Sequence, residues 1–137
     1  MHAAVADAIQ ANTRQAILDA DQQLIMAVMA SPELDAIFFK PELTDDEKVR
    51  LSTFLLTHVR VRENNWFQYQ AGVLDHVSWE TYRTALILDL STPRSRTWWQ
   101  NLGSAPGVFN AEFVSMIDQL VTEAPLYEKS LYIAAFD

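Results

Sequence analysis

The few residues that break helices lie between the apolar stretches of this chain and not within them. Of 137 residues, three are glycine and five are proline. The longest run without either, residues 3–30, is rich in Ala, Gln, Leu and Met, which favour helix. Its apolar positions, from Ile9 to Val28, recur at helical spacing. No alternation of apolar and polar residues rivals this pattern, so the sequence predicts an all-α fold.

Cap signals mark the starts of the predicted helices. A Ser, Thr or Asn oxygen at the N-cap accepts a hydrogen bond from a free backbone N–H, and proline suits the first helical position. Such signals stand at Ser31-Pro32, in the capping box of residues 44–47, and at Ser78, Thr92-Pro93 and Asn110. They predict helices over residues 3–30, 44–71, 78–91 and 110–123, with shorter ones that end at Phe39 and Gly103.

The predicted helices follow one another through short loops, which favours antiparallel neighbours. We expect residues 1–137 to form one domain, an antiparallel bundle of about five helices with a short C-terminal tail. The helix at 44–71 carries large apolar residues on several sides, which predicts a central position. The first half of the helix at 3–30 is weakly hydrophobic, so we expect it to pack less.

Composition excludes several classes of function. The chain has no cysteine, which rules out disulfides, thiolate catalysis and cysteine-ligated metals. Its formal charge of −8 disfavours nucleic acid as a partner. No apolar run approaches the ~20 residues that span a bilayer, and no signal peptide is recognisable. The sequence therefore predicts a cytoplasmic location.

A dense group of polar residues interrupts the predicted central helix. On a helix, His58, Arg62 and Asn65 share one face, while Arg60 and Glu63 share another with Asn64. Burying such groups is costly unless they are paired. One interpretation is a polar pocket for a small anionic or amphipathic ligand, with the candidate ligand-binding residues His58, Arg60, Arg62, Glu63 and Asn65. The other, which we weight more heavily, is an inter-helix network that fixes the register of the bundle.

A second candidate region lies at the start of the fourth predicted helix. Arg94 and Arg96 stand beside Trp98 and Trp99, and free N–H groups at a helix start can hold an anion. This arrangement predicts an anion-binding or partner-binding patch. The alternative, which we favour, is an ordinary helix start whose tryptophans anchor the core and whose arginines are solvated or paired.

The sequence offers no recognisable catalytic or metal centre. A di-iron bundle needs Glu-x-x-His pairs on facing helices, and none occurs. A nucleophile elbow and a glycine-rich phosphate loop are missing as well. We therefore predict no catalytic residue, no metal site and no cofactor.

The order of these features resembles a loose group of uncharacterised bacterial proteins in which an N-terminal membrane helix precedes a helical domain. Residues 9–14 look like the polar segment that follows the membrane helix in that group. Glu63-Asn64, residues 69–75 and Trp79 look like its central signature, and Arg94, Trp98, Trp99 and Phe113 resemble its C-terminal half. The resemblance implies membrane association only through an N-terminal membrane helix. The given residues do not include one, so either that segment was removed or this member never had it.

Two functions follow from these patterns. The first is a non-enzymatic interaction or scaffold domain that binds a protein partner or a second copy of itself, because no catalytic group stands out and the tail is apolar. The second is a small-ligand sensor or binding bundle with a polar pocket on the central helix. An enzymatic function ranks third.

Overall fold

The computed structural model describes residues 2–137 and confirms an all-α bundle. Seven α-helices and one π-helical turn follow in order, and the described residues contain no strand. The elements are α1 (His2–Ala30), α2 (Glu33–Ile37), α3 (Asp45–Gln70), α4 (His76–Asp89), α5 (Pro93–Trp98), the π turn (Trp99–Gly103), α6 (Ala111–Glu123) and α7 (Leu131–Ala134).

Helix α3 lies at the centre, and α4 makes the most extensive contact with it. The two helices are antiparallel, because Tyr69 near the end of α3 stacks on Trp79 near the start of α4. Helix α1 also runs antiparallel to α3: Arg14 reaches the carbonyl of Val73, and Asp21 meets Arg62. Helix α6 packs against α4 and touches the end of α3 where Phe113 meets Trp66.

The predicted caps hold with two corrections. The Thr44–Glu47 capping box and the Thr92 cap are both formed, and Asn110 caps α6. Helix α4, however, begins before Ser78 because Asp75 is its N-cap and accepts from the backbone N–H of Ser78. The carboxylate also accepts from the Ser78 hydroxyl, and these bonds hold the pKa of Asp75 below its usual value.

The Ser31 cap is the second correction. Helix α2 starts at Glu33, one residue later than the Ser31-Pro32 signal predicts, and no side-chain cap is formed. The Ser31 carbonyl instead accepts from the N–H of Leu34, which closes a turn before the helix. Gly72, by contrast, ends α3 with the predicted left-handed conformation, at φ +77.

The hydrophobic core runs through the middle of the bundle, where the fully buried side chains include Leu55, Trp79, Leu86, Trp99 and Phe113. The predicted weak packing of the first half of α1 is confirmed, because Ile17 is its first buried residue. Not all of the large apolar residues of the central helix are buried: Val49 and Phe67 are exposed, and polar residues fill much of its buried face.

The π turn replaces the simple helix end predicted at Gly103. A Cβ on Gly103 would collide with the ring of Trp99, so only glycine lets the turn close over this fully buried side chain. The Trp99 indole N–H donates to Asp118 of α6 at 2.7 Å and thereby joins the turn to α6. Within residues 2–137, no helix is both long and apolar enough to cross a bilayer.

Candidate functional site

Four residues of the polar stretch of α3 are buried, whereas Arg60 is exposed, and the stretch divides into two separate networks. Arg62 and Asn65 are 2% and 0% exposed, and His58 and Glu63 are 4% and 6% exposed. His58, Arg62 and Asn65 bond to one another and to α1 and α4. Arg60 and Glu63 bond to each other and to the segment before α6. The predicted division into two faces is therefore present, although Asn64 is exposed.

The first network is a chain of hydrogen bonds across three helices. Arg62 donates from Nη2 to Asp21 Oδ1 of α1 at 2.5 Å, from Nε to His58 Nε2 at 3.0 Å and from Nη1 to Asn65 Oδ1 at 3.1 Å. His58 Nδ1 lies 2.6 Å from Asp89 Oδ2 of α4. All three guanidinium nitrogens thus have a protein acceptor, as a buried cation requires.

These contacts also define the tautomer of His58. Nε2 accepts a hydrogen bond from Arg62 Nε through its lone pair, so this nitrogen carries no proton. The ring proton then resides on Nδ1 and is donated to Asp89. His58 in this geometry is neutral and links a buried arginine to a carboxylate.

A stacked aromatic ring completes the surroundings of Arg62. Its guanidinium carbon lies 4.8 Å from the centroid of the Tyr82 ring, a cation–π arrangement. Burial raises the pKa of the Tyr82 phenol, and the Asp21 carboxylate adds to this effect. The Nδ2 atom of Asn65, in contrast, is buried without a hydrogen-bond partner in the described part of the chain.

The second network ties α3 to the start of α6. Glu63 accepts from Arg60 Nη1 at 2.8 Å and from the backbone N–H of Asn110 at 2.6 Å. Arg60 also donates to the carbonyl of Val108 and lies 4.4 Å above the ring of Phe109. A carboxylate beside a helix N-terminus is favourably placed relative to the helix dipole. This network therefore secures the junction between helices, as the register interpretation predicts.

A pocket of about 530 Å³ lies beside the first network. Helices α1, α2, α3 and α4 form its walls together with the C-terminal segment (residues 126–137). Its lining is mostly apolar, and the polar groups in it are few. The principal lining residues are Asp21, Leu24, Ile25, Val28, Met29, Leu34, Asp35, Phe38, Phe39, Phe54, His58, Arg62, Ala85, Leu88, Asp89, Tyr127, Leu131 and Tyr132.

One wall of the pocket is a continuous arc of aromatic rings. The rings follow one another with centroid separations of 6.1 to 6.3 Å, in the order Tyr127, Phe39, Phe38, Phe54, His58. Pairs at such separations and tilted or edge-on orientations are favourable. The arc connects the C-terminal segment to the buried polar network, so apolar rings lie between the two.

The C-terminal segment is fixed to the pocket by three polar contacts. Ser130 donates to Asp35 Oδ2 at 2.6 Å, the Tyr127 hydroxyl donates to the carbonyl of Leu88, and the backbone N–H of Tyr127 donates to the carbonyl of Ser91 at 3.0 Å. Burial raises the pKa of Tyr127 and of Tyr132, and Asp89 and Asp35 raise both further. Two carboxylates therefore lie close to both phenols.

Only part of the predicted ligand-binding set lines this pocket. His58 and Arg62 do, whereas Arg60, Glu63 and Asn65 are not among its lining residues. Local sequence patterns do not reveal Asp21, Asp35, Asp89 and the tyrosines, because these residues lie far along the chain from their partners. Their partners are 31 to 95 residues distant in sequence, beyond the reach of any local pattern.

In the second predicted region, both arginines donate to backbone carbonyls at helix ends. Arg94 donates to the carbonyls of Ile37 and Lys40, both at 2.6 Å, at the end of α2. Arg96 donates to the carbonyl of Leu90 at the end of α4, and burial lowers its pKa. Cations suit these helix C-termini. Trp98 and Trp99 donate to Ser52 and Asp118, so both indoles serve packing.

The site contains no arrangement that suggests metal binding. Among residues 2–137, no group of three or more His, Asp or Glu side chains is placed to hold a metal ion. The carboxylates of the pocket instead face an arginine, a histidine, a serine or tyrosine rings.

Comparison with protein-family models, with curated proteins and with solved structures found no match to this chain. The pocket beside α3 and its polar network are therefore the observations from which a function can be inferred.

Proposed function

We propose that the protein is a small-molecule binding bundle whose ligand enters the pocket beside the His58–Arg62 network. The single observation that carries this proposal is the pocket itself. Its volume of about 530 Å³ lies within the range of ligand sites in proteins. Apolar walls with a few converging polar groups are typical of such sites. The ligand would therefore be amphipathic, with an apolar body along the aromatic arc and a polar head.

The exposed rim of the pocket supports the same proposal. Ile25, Met29, Leu88, Leu131 and Tyr132 all line the pocket and are all partly exposed. A contiguous exposed apolar surface on a protein is typical of an interaction site. A ligand with an apolar body would cover these side chains and bury them from water.

Binding of a neutral amphiphile tests this proposal. We expect n-octanol to raise the melting temperature of the wild-type protein, because a ligand that binds only the folded state stabilises it. At ten times Kd the gain is about 1.4 kcal/mol. Ala85→Leu places a larger side chain in the pocket and should abolish the shift, with Leu88→Phe as a second pocket-filling variant. Ala16→Leu adds the same atoms at an exposed position of α1 outside the pocket and should keep it.

The outcomes of this titration separate cleanly. A shift in wild type and Ala16→Leu that is lost in the pocket-filling variants supports the site. An equal shift in all four proteins would place octanol elsewhere and refute the proposal, as would no shift in wild type.

Protein interaction is the second candidate function. It is favoured by exposed apolar side chains on α7 and just after it, where Phe136 is 93% exposed, and on α1, where Met29 is 73% exposed. A second copy of the chain would cover them. Sedimentation velocity over a concentration series tests this: dimerisation that Phe136→Ser weakens supports it, and a monomer at every concentration argues against it.

The relation to bacterial membrane-anchored proteins also stays a proposal. Among the residues that carry this resemblance, Trp79 and Trp99 are buried, and Arg94 joins α5 to the end of α2. These positions serve the packing of the bundle. Peptide mapping of the native N-terminus in its host would test the implied anchor: an apolar segment upstream of residue 1 supports it, and a mature protein that starts at Met1 argues against it.

A further inference from the structure

The charges that line the pocket do not balance. Asp21, Asp35 and Asp89 contribute three carboxylates, and Arg62 contributes one guanidinium. His58 adds no charge in the tautomer that its contacts require, because Nε2 accepts from Arg62. The lining therefore carries a net charge of about −2 at neutral pH. An apolar pocket with this excess attracts a cation and repels an anion.

Arg62 is poorly placed to receive an anionic head. Each of its three nitrogens already donates to a protein acceptor, on Asp21, His58 and Asn65. Two of its five N–H donors stay unused in the described part of the chain, but the Asp21 carboxylate beside Nη2 already neutralises the guanidinium and repels a second anion. The anionic ligand that the sequence suggested is therefore disfavoured by the contacts of Arg62.

The carboxylates, by contrast, keep capacity to accept. Asp89 uses Oδ2 for His58, and Asp35 uses Oδ2 for Ser130. Within residues 2–137, the Oδ1 atoms of both have no hydrogen-bond partner. The Asp89 side chain is 26% exposed and lines the pocket. Two carboxylates with unused oxygens thus line one pocket.

Tyrosine rings stand next to these two carboxylates. Tyr127 and Tyr132 both line the pocket beside Asp35 and Asp89, and both phenols respond to the two negative charges. Phe39 extends this aromatic surface, with its ring centroid 6.2 Å from that of Tyr127. Aromatic rings combined with carboxylates are the groups that recognise ammonium heads in proteins.

We propose that the ligand is an amphipathic amine, whose ammonium head lies between Asp35 and Asp89 against Tyr127 and Tyr132 while its apolar body follows the aromatic arc toward Phe54. This inference rests on the proposed function, since it names the chemical class of the molecule that the same pocket binds. Primary and quaternary amines both fit, because carboxylates and aromatic faces attract either.

A matched series of probes tests the charge of the head directly. Isothermal titration calorimetry below micellar concentrations would compare octyltrimethylammonium, n-octanol and octanoate, whose apolar chains have eight, eight and seven carbons. We expect wild type to bind the cation at least about tenfold more tightly than octanol, a difference of about 1.4 kcal/mol. Octanoate should bind more weakly than octanol. Raising the salt concentration should reduce the preference for the cation.

Isosteric variants locate the head group. Asp35→Asn/Asp89→Asn keeps the oxygens that accept from Ser130 and His58 but removes both charges. We expect its affinity for the cation to fall to that for octanol, with octanol binding retained. Asp35→Asn alone serves as a milder variant if the double variant unfolds. Asp46→Asn makes the same charge change on the exposed first turn of α3 and should leave the preference intact.

Failure of this inference differs from failure of the proposed function. If wild type binds octanoate as tightly as the cation, or if the variants keep the preference for the cation, the amine proposal is wrong. The proposed ligand pocket would still be supported as long as octanol binds. If none of the three probes binds wild type, both proposals fall.

Discussion

The two faces of α3 handle the same problem, a buried charge, in different ways. On one face Glu63 meets Arg60 and the N–H of Asn110, and the group closes against α6 with one charge of each sign. On the other face Arg62 meets Asp21 and His58, and further carboxylates line the pocket beside it. The first face is balanced and filled, whereas the second is unbalanced and borders open volume.

The difference shows that buried polar residues do not by themselves mark a site. Both networks look alike in sequence, and in both the pairing of opposite charges offsets the free-energy cost of burying ions. What distinguishes the His58–Arg62 face is the adjacent pocket and the unused carboxylate oxygens that line it. A functional interpretation therefore belongs to one half of the polar stretch, and a structural one to the other half.

The largest expected effect concerns the cation that organises the pocket face. Arg62→Met removes the donor to Asp21, His58 and Asn65, and it leaves three acceptors in an apolar environment. We expect a loss of about 3–5 kcal/mol in unfolding free energy, measured by urea denaturation. Arg62→Lys keeps the charge but not the three-way geometry and should lose less. A change below about 1 kcal/mol for Arg62→Met would contradict the role assigned to this network.

The next effect concerns the neutral linker of the same face. His58→Leu removes the donor to Asp89 and the acceptor for Arg62 Nε, so both are left unsatisfied. We expect a destabilisation of about 2–3 kcal/mol in the same denaturation experiment. His58→Gln offers one donor and one acceptor and should recover a substantial part of it. Equal losses in the two variants would mean that ring packing, and not hydrogen bonding, accounts for the contribution of His58 to stability.

A substitution on the Glu63 face should lower the stability of the protein but leave its ligand affinity unchanged. Glu63→Gln removes the charge that Arg60 and the N–H of Asn110 share, while it preserves the shape of the side chain. We expect a loss of about 1–2 kcal/mol in unfolding free energy and an unchanged affinity for octyltrimethylammonium. Calorimetric titration of this variant checks the second point. A clear loss of affinity at unchanged fold would show that the two faces are not independent.

The smallest effect is expected in the wall that the C-terminal segment provides. Ser130→Ala removes the hydroxyl that donates to Asp35. We expect the free energy of unfolding to fall by about 0.5–1.5 kcal/mol. We also expect faster amide hydrogen exchange in α7. Ser115→Ala, at an exposed position of α6, is the matched control. Unchanged exchange in α7 would mean that the Tyr127 contacts alone hold the segment.

Much of the fold could be predicted because local chemistry marks it. Thr44, Thr92 and Asn110 are caps both by type and in the structure, and Gly72 ends α3 as its lack of a side chain suggests. The N-cap predicted at Ser78 was wrong because Asp75, three residues earlier, is an equally good cap. The sequence alone does not rank two candidates this close together. Element boundaries are the part of a fold that local signals define least.

The candidate site could be predicted only in part. Helical spacing alone places His58, Arg62 and Asn65 together and Arg60 with Glu63, because residues three or four apart are neighbours on a helix. It does not reveal which face a pocket adjoins, since that depends on tertiary packing. Asp21, Asp89 and Tyr127 come from other elements, and nothing in their local sequence distinguishes them from solvated residues.

Mapping the bound ligand on the backbone tests the contrast between the two faces most directly. In a titration of ¹⁵N-labelled protein with n-octanol, we predict the largest amide shift changes at Val28, Phe38 and Leu88, which line the pocket. Amides on the Glu63 face, such as those of Phe109 and Phe113, should change little. Changes that centre on the Glu63 face, or on the exposed first half of α1, would contradict the assignment of the ligand site to the His58–Arg62 face.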